Sequence, residues 1–236
     1  MIAFLTSSPG GSCLAGGVRT PCRLSEENGF LDRLSAVWPE QAHCLLICAE
    51  PDNTTENDEM RQNFLQSLPM SGLSLFQLKL CDGRNEDALP TLLAQSNVVI
   101  LSGGHTLTQN HFFKKIGLKP LIRGFDGVLI GISGGSMNSA EVVYAQPEWE
   151  GDFDDPSYER FPEGLGLTDI MILPHYQLLK DQVLEGRRLI EDVALPDSVG
   201  RTFYALPDGS YVYIQDGKSQ ILGEAYEIHD GCITRL

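Results

Sequence analysis

The sequence lacks the features of a membrane protein or a nucleic-acid-binding protein. No segment approaches the roughly 18 consecutive apolar residues of a membrane-spanning helix. The apolar segment 1–5 is short and has no basic flank, so it differs from a signal peptide. Seventeen Lys and Arg against 32 Asp and Glu give a formal net charge of −15 at pH 7, which disfavours binding to nucleic acid or anionic membranes. We therefore expect a cytoplasmic protein without such partners.

A metal-binding pattern is also missing. The six cysteines include no Cys-x-x-Cys pair, and the five histidines do not cluster at the spacing of metal ligands. We therefore expect neither a metal nor any other cofactor. Cys44 and Cys48 flank Leu-Leu-Ile in a strand-like run, where free thiols behave as small buried hydrophobic groups. We expect both thiols to be reduced.

Apolar segments that alternate with helical patterns are the main feature that the sequence does contain. Such alternation is typical of a parallel sheet covered by helices on both faces. The 236 residues are enough for one domain with a full core, which we take to span residues 1–236. The predicted strands are 2–5, 43–48, 73–80, 98–101, 128–132, 170–173 and 202–206. The predicted helices are 57–68, 86–94, 108–116, 137–144 and 177–192.

The C-terminal part has a different character. Three Asp-Gly pairs lie between short β-prone runs, and such pairs favour tight hairpin turns. The predicted fold class is therefore α/β, with a doubly wound, mostly parallel sheet, helices on both faces and a C-terminal antiparallel hairpin region. An acidic segment punctuated by Pro and Gly, 146–164, indicates a long loop of the kind that often carries function.

The ends of three predicted strands carry residues suited to catalysis, at the sheet edge where ligands of open parallel sheets bind. Ser133 lies in Gly131-Ile-Ser-Gly-Gly135, between a strand and a helical pattern, as in a nucleophile elbow. His175 follows another strand. Gly103 and Gly104 follow a third, and their backbone N–H groups are suited to hold an oxyanion.

A serine nucleophile needs a base within hydrogen-bond reach, and the base needs a carboxylate that fixes its tautomer. Ser133 and His175 supply the first two groups. Asp208 ends another strand and is our candidate for the third, although Asp208-Gly209 also suits a plain hairpin turn. Nucleophile, base and oxyanion donors at three strand ends together favour a catalytic site. The acidic loop offers alternative carboxylates in Glu148, Glu150 and Asp152.

Four segments, in order along most of the chain, resemble the dipeptidase E and cyanophycinase family of serine peptidases, relatives of the class I glutamine amidotransferase fold. Residues 100–106 (ILSGGHT) resemble the family's GGGNT segment, and 131–135 (GISGG) its GxSAG elbow. Residues 173–176 (LPHY) are similar to its NPHF segment, and 205–209 (ALPDG) to its LPEG segment.

The resemblance implies a small peptide substrate and a role for each matching residue. Ser133 is the expected nucleophile, His175 the general base, and the N–H groups of Gly104 and Gly134 the oxyanion donors. The expected orienting acid is Asp208, and its substitutes are Glu148 and Glu150. The family's dipeptidases bind an N-terminal aspartate through arginines beyond the histidine, and the nearby arginines here are Arg187 and Arg188.

The chain departs from the family's pattern at three positions. Gly134 replaces an alanine, His105 replaces an asparagine or aspartate, and Asp208 replaces a glutamate that is one methylene longer. Gly adds backbone freedom to the turn that holds Ser133. The shorter side chain of Asp208 has less reach toward His175.

Two other functions remain open from the sequence. One is an α/β-hydrolase esterase that uses Ser133, Asp208 and His229 in that fold's chain order. The other is a non-catalytic binding module that keeps the amidotransferase-like fold. Glutamine-dependent amidotransfer is disfavoured because it requires cysteine where Ser133 stands. We expect a monomer or a homodimer.

Overall fold

The computed structural model describes residues 1–15 and 18–236. The strands are β1 (Ile2–Thr6), β2 (Gly10–Ala15), β3 (Val18–Leu24), β4 (His43–Ile47), β5 (Gln77–Cys81), β6 (Val98–Leu101), β7 (Val128–Ile132), β8 (Met171–Leu173), β9 (Val183–Leu184), β10 (Arg187–Arg188), β11 (Thr202–Ala205), β12 (Tyr211–Gln215), β13 (Lys218–Leu222), β14 (Tyr226–His229) and β15 (Cys232–Arg235).

The helices connect most of the early strands. The α-helices are α1 (Phe30–Val37), α2 (Thr54–Met70), α3 (Leu89–Ala94), α4 (Thr106–Lys115), α5 (Leu118–Arg123), α6 (Gly134–Met137), α7 (Tyr176–Leu179) and α8 (Leu195–Asp197). Two 3-10 turns (Glu27–Gly29 and Glu86–Ala88) and a π-helix (Leu189–Ala194) complete the helical segments of the described ranges. None of these helices is long and apolar enough to cross a membrane.

The central sheet has seven strands in the order β13-β12-β1-β7-β6-β4-β5. Five neighbouring strands, β1, β7, β6, β4 and β5, are parallel, and β12 and β13 add antiparallel strands beside β1. The chain runs outward from β4 to β5 and then returns through β6 to β7. With right-handed crossovers, this reversal places the connecting helices on both faces. All four residues of β6 are buried, as expected for a strand covered on both sides.

The predicted α/β fold class is confirmed, and the strands predicted at 98–101 and 128–132 have the observed bounds. The predicted strands 170–173 and 202–206 correspond to β8 and β11, which lie in a second sheet of order β15-β14-β11-β8. Strands β8 and β11 are parallel, and the hairpin of β14 and β15 supplies the predicted C-terminal antiparallel pairing. His175 and Asp208 therefore follow neighbouring strands of this second sheet.

The predicted helix 177–192 is wrong. Helix α7 ends at Leu179, and the chain then forms the β9–β10 hairpin before the π-helix. Glu185 and Gly186 both have positive φ, 49° and 76°, so the helix cannot continue through them. The polar pattern of this segment resembles an exposed helix, and the single Gly-based turn inside it overrides that pattern.

The predicted helix 137–144 is also wrong, because α6 ends at Met137. Beyond it the chain is extended and pairs with the end of the acidic loop. The N–H of Val143 donates to the Pro162 carbonyl at 2.9 Å, and the N–H of Ala145 donates to the Arg160 carbonyl at 2.9 Å. The β-branched pair Val142-Val143 suits this extended conformation.

Candidate active site

Ser133 forms a sharp turn between β7 and α6. Its φ of 49° and ψ of −113° lie outside the regions that L residues ordinarily occupy, so the turn is strained. The N–H of Ser133 donates to the Thr6 carbonyl at 3.0 Å, and its own carbonyl accepts the N–H of Ser136 at 2.9 Å. A Cβ on Gly135 would lie 2.7 Å from the Ser102 carbonyl oxygen. The elbow therefore needs glycine beside the serine.

Gly104 and Gly134 pack against each other beside Ser133. Gly104 has a φ of 149°, and a Cβ there would lie 2.5 Å from the Cβ of Ala49. A Cβ on Gly134 would lie 2.5 Å from the Gly104 carbonyl oxygen. Within the described part of the chain, neither N–H donates a hydrogen bond. Close packing thus explains the glycine at position 134 better than the backbone freedom suggested by the sequence. The N–H groups of Gly104 and Gly134 remain available to donate to a ligand.

His175 bridges Ser133 and Asp208. Its Nε2 lies 2.9 Å from Ser133 Oγ, and its Nδ1 lies 2.7 Å from Asp208 Oδ1. His175 adopts a φ of 58° at the start of α7, in the left-handed region. Asp208 reaches the ring despite its shorter side chain, and its own N–H donates to Gln177 Oε1 at 3.0 Å. The structure therefore brings together the serine, histidine and Asp208 side chains selected from the sequence.

The electrostatics of Asp208 suit an ionised carboxylate. Partial burial acts to raise its pKa, but hydrogen bonds from His175 and Ser7 act in the opposite direction, and the pKa lies below its ordinary value. Ser7 Oγ donates to Asp208 Oδ1 at 2.7 Å. Sequence reasoning missed Ser7. The only signal available was its position two residues after the first predicted strand, 2–5, at the same sheet edge as Ser133.

Glu148 lies at the neighbouring turn and not at His175. Its Oε1 accepts the N–H of Thr106 at 3.3 Å. Burial raises the pKa of Glu148 to about 7, and the nearby negative charges of Asp152 and Glu50 act in the same direction. Glu150 is exposed. Asp208 is the carboxylate that accepts the hydrogen bond from His175 Nδ1, so neither alternative acid occupies that place in the structure.

His105 closes the turn after β6. Its Nδ1 accepts the N–H of Thr108 at 3.3 Å and caps α4. The ring of Trp149 stacks on it at a centroid distance of 3.8 Å, and burial lowers the pKa of His105. Asp152 Oδ2 accepts the N–H groups of Glu148 and Trp149 at 2.9 and 2.8 Å. The first part of the acidic loop thus covers the turn that carries Gly104.

Arg187 and Arg188 form β10. Arg188 makes a two-point contact with the carboxylate of Asp192, at 3.0 and 3.1 Å. The guanidinium of Arg187 lies 4.2 Å from the centroid of the Phe153 ring. Both are exposed, and a contact between the arginines and a substrate stays a prediction.

The esterase hypothesis placed His229 beside Ser133, and this is wrong. His229 lies at the end of β14, where its Nδ1 is 2.8 Å from the Arg201 carbonyl oxygen. Its Nε2 is 3.2 Å from Asp230. The imidazole that reaches Ser133 Oγ is that of His175. The hairpin that carries His229 extends the second sheet away from β8, which explains the difference.

No group of three His, Cys, Asp or Glu side chains is arranged to hold a metal ion in residues 1–15 and 18–236. The site instead offers a serine hydroxyl, a hydrogen-bonded imidazole and an ionised carboxylate in series. This series on a mostly parallel α/β sheet defines the class of serine-type hydrolases with a nucleophile elbow.

Comparison with known proteins identifies the group within this class. Residues 43–222 match the family model described as Peptidase family S51. The chain belongs to peptidase family S51 and is a serine-type peptidase, which confirms the resemblance to dipeptidase E and cyanophycinase. Residue 7 lies before the matched range.

A solved structure supports the fold. A protein from Listeria monocytogenes EGD-e with a provisional peptidase E assignment superposes with a TM-score of 0.62 at 15% sequence identity. The match covers 93% of this chain and 96% of that chain. No curated protein matches the sequence at a significant level.

Proposed function

We propose that the protein hydrolyses small peptides through an acyl-enzyme on Ser133, with His175 as general base and Asp208 as the orienting acid. The observation that carries the proposal is the continuous chain of contacts from Ser133 Oγ to His175 Nε2, 2.9 Å, and from His175 Nδ1 to Asp208 Oδ1, 2.7 Å. Both distances are within hydrogen-bonding range.

The reaction begins when His175 Nε2 takes the hydroxyl proton of Ser133 and Oγ attacks the scissile carbonyl carbon. The carbonyl oxygen becomes an oxyanion, and the N–H groups of Gly104 and Gly134 donate to it. Each such donor lowers the activation free energy by on the order of 3 kcal/mol. His175 then gives its proton to the leaving amine, and water cleaves the acyl-enzyme with His175 again as base. Asp208 stabilises the positive imidazolium in both steps.

For the substrate class we propose dipeptides with an N-terminal acidic residue. The resemblance to dipeptidase E motivates this choice, and Arg187 and Arg188 are the candidate cationic groups. Their hairpin contacts the acidic loop, since Glu185 Oε1 accepts the N–H of Gly151 at 2.6 Å. This contact supports a role of the acidic loop in admitting only short peptides to the site. The cytoplasmic location and the monomeric or dimeric state stay predictions.

The test is a dipeptide library hydrolysed by the wild-type protein and by the Ser133→Ala variant in parallel. We expect wild-type turnover of a subset of dipeptides and none with Ser133→Ala, which should fold normally because it removes only one oxygen atom. Retention of most activity in Ser133→Ala contradicts the proposed nucleophile. If the wild type hydrolyses nothing and a fluorophosphonate fails to modify Ser133, a non-catalytic binding module is favoured instead.

The specificity part of the proposal has its own measurement. Arg187→Ala and Arg188→Ala should raise KM for Asp-X dipeptides relative to Ala-X dipeptides. Equal effects on both substrate sets contradict a role of these arginines in reading an acidic residue.

A further inference from the structure

Two consecutive residues at the end of β1 contact the elbow, the histidine and the acid of the Ser133 site. The carbonyl of Thr6 accepts the N–H of Ser133 at 3.0 Å and the hydroxyl of Ser136 at 2.8 Å. The N–H of Ser7 donates to the carbonyl of Ser210 at 3.2 Å, in the loop that carries Asp208. The elbow and the loop that carries Asp208 are therefore both hydrogen-bonded to the adjacent residues Thr6 and Ser7.

The side chain of Ser7 connects the acid to the base. It is completely buried. Its Oγ lies 2.8 Å from the backbone N of His175 and 2.7 Å from Asp208 Oδ1. The His175 N–H is a donor only, so Ser7 Oγ accepts this bond and its single proton points to the carboxylate. The direction of both hydrogen bonds is thus fixed by chemistry.

We propose that Ser7 is a positioning residue that holds Asp208 and His175 in register for proton transfer, an inference that rests on the proposed function. Two features make such support necessary. The side chain of Asp208 is 42% exposed, so burial alone does not fix its rotamer. His175 has a φ of 58°, a left-handed conformation that is unfavourable for a residue with a side chain.

The hydroxyl of Ser7 acts on both features at once. It donates to Oδ1, the same oxygen that faces His175 Nδ1, so this oxygen cannot rotate away without breaking a second hydrogen bond. It also accepts the N–H of the strained His175 backbone. Loss of this support leaves the His175 N–H without a buried acceptor and leaves Asp208 free to turn toward solvent. A misplacement of about 1 Å in a catalytic group can cost about 100-fold in rate.

The experiment compares Ser7→Ala, Ser7→Thr and the control Ser8→Ala with the wild type. Ser8 is the next residue, and among the described residues its Oγ forms a hydrogen bond only with the Gly10 N–H, at 3.4 Å. We expect kcat to fall about 10- to 100-fold in Ser7→Ala, with KM changed less than about threefold, because the completely buried Ser7 side chain offers no surface to a substrate. Ser7→Thr keeps the hydroxyl and should recover much of kcat. Ser8→Ala should match the wild type.

A second readout needs no substrate. The proton on His175 Nδ1 is shared with Asp208, so its downfield NMR resonance should be sharp in the wild type and in Ser8→Ala. It should broaden or disappear in Ser7→Ala, because the carboxylate is no longer held. If Ser7→Ala does not unfold cooperatively, Ser7→Cys takes its place, since it keeps the size and has only a weak donor.

The outcomes separate this inference from the proposed function. A wild type without peptidase activity contradicts the function, and the resonance of His175 still tests Ser7. A kcat within about twofold of the wild type together with an unchanged resonance in a folded Ser7→Ala overturns the inference. A fall in kcat matched by Ser8→Ala also overturns it, because the effect is then a general one of the loop.

Discussion

Asp208 and Glu148 are two carboxylates at the same edge of the molecule in opposite surroundings. Asp208 receives hydrogen bonds from His175 and Ser7, and these hold its pKa below the ordinary value. Glu148 has one weak backbone donor, and burial raises its pKa to about 7. The charged groups that act on its pKa, Asp152 and Glu50, are also acidic.

The difference shows which acid can serve a histidine base. A carboxylate that orients an imidazole and stabilises the imidazolium must remain ionised throughout the reaction. Asp208 meets this condition because donors satisfy its charge. Burial raises the pKa of Glu148 to about 7 against the opposing effect of the Thr106 hydrogen bond, so its charged form is disfavoured near neutral pH. The choice between candidate acids therefore depends on the hydrogen-bond donors around each carboxylate. It does not depend on the distance along the chain between the carboxylate and the nucleophile.

The sharpest way to break this comparison is to neutralise each carboxylate in turn. We expect Asp208→Asn to lower kcat by about 10⁴-fold, because the amide favours the wrong tautomer of His175. The matched variant Glu148→Gln should lower kcat by less than about tenfold. Peptide turnover by both variants, at the pH optimum of the wild type, is the measurement. A larger loss in Glu148→Gln than in Asp208→Asn would reverse the roles that we assign.

The second prediction concerns the contact between the Asp208 side and the Glu148 side of the site. There Gly134 of the elbow packs against Gly104, in the turn next to Glu148. A methyl group on Gly134 would lie 2.5 Å from the Gly104 carbonyl oxygen, so Gly134→Ala should shift the backbone of the two glycines whose N–H groups we propose as oxyanion donors. We expect a loss of about 10²- to 10³-fold in kcat.

The control for Gly134→Ala is Gly124→Ala. The added methyl group at Gly124 would have one neighbour, the Leu121 carbonyl oxygen, at 3.7 Å. It should therefore leave kcat unchanged. A folded Gly134→Ala with wild-type kcat would show that the packing of these glycines does not set the position of the donors.

Much of the site was predictable because its residues stand at the ends of strands that the sequence marks clearly. The apolar run before Ser133 and the run before His175 each predict a strand end, and the motif around Asp208 predicts a third. These signals are local. They need only the rule that the carboxyl ends of parallel strands carry the ligand site.

The rest depends on contacts between distant parts of the chain. Ser7 meets Asp208 across 201 positions, and nothing in its neighbours indicates that partner. Gly134 reads as a flexible turn until the Gly104 carbonyl is placed against it. The failed helix at 177–192 combines both kinds of cause, since the local turn at Glu185 and Gly186 is also in contact with the acidic loop, where Glu185 accepts the N–H of Gly151.

The smallest predicted effect is on stability and concerns Glu148 alone. A carboxyl group with a raised pKa in the folded state binds more protons there than in the unfolded chain between about pH 4.5 and 7. The free energy of unfolding must therefore fall as the pH rises through this window. Glu148→Gln removes the titrating group and keeps an acceptor for the Thr106 N–H. As the pH rises from 5 to 8, the free energy of unfolding of the variant should increase by about 2–3 kcal/mol relative to that of the wild type.

Urea unfolding at both pH values measures this gain, and Glu150→Gln is the matched control because Glu150 is an exposed acid two residues away. The control should change with pH as the wild type does. If Glu148→Gln also follows the wild type at both pH values, Glu148 is ionised in the folded protein over the whole window. The contrast with Asp208 would then rest on geometry alone, because both carboxylates would carry the charge that a histidine base requires and only Asp208 would be in contact with it.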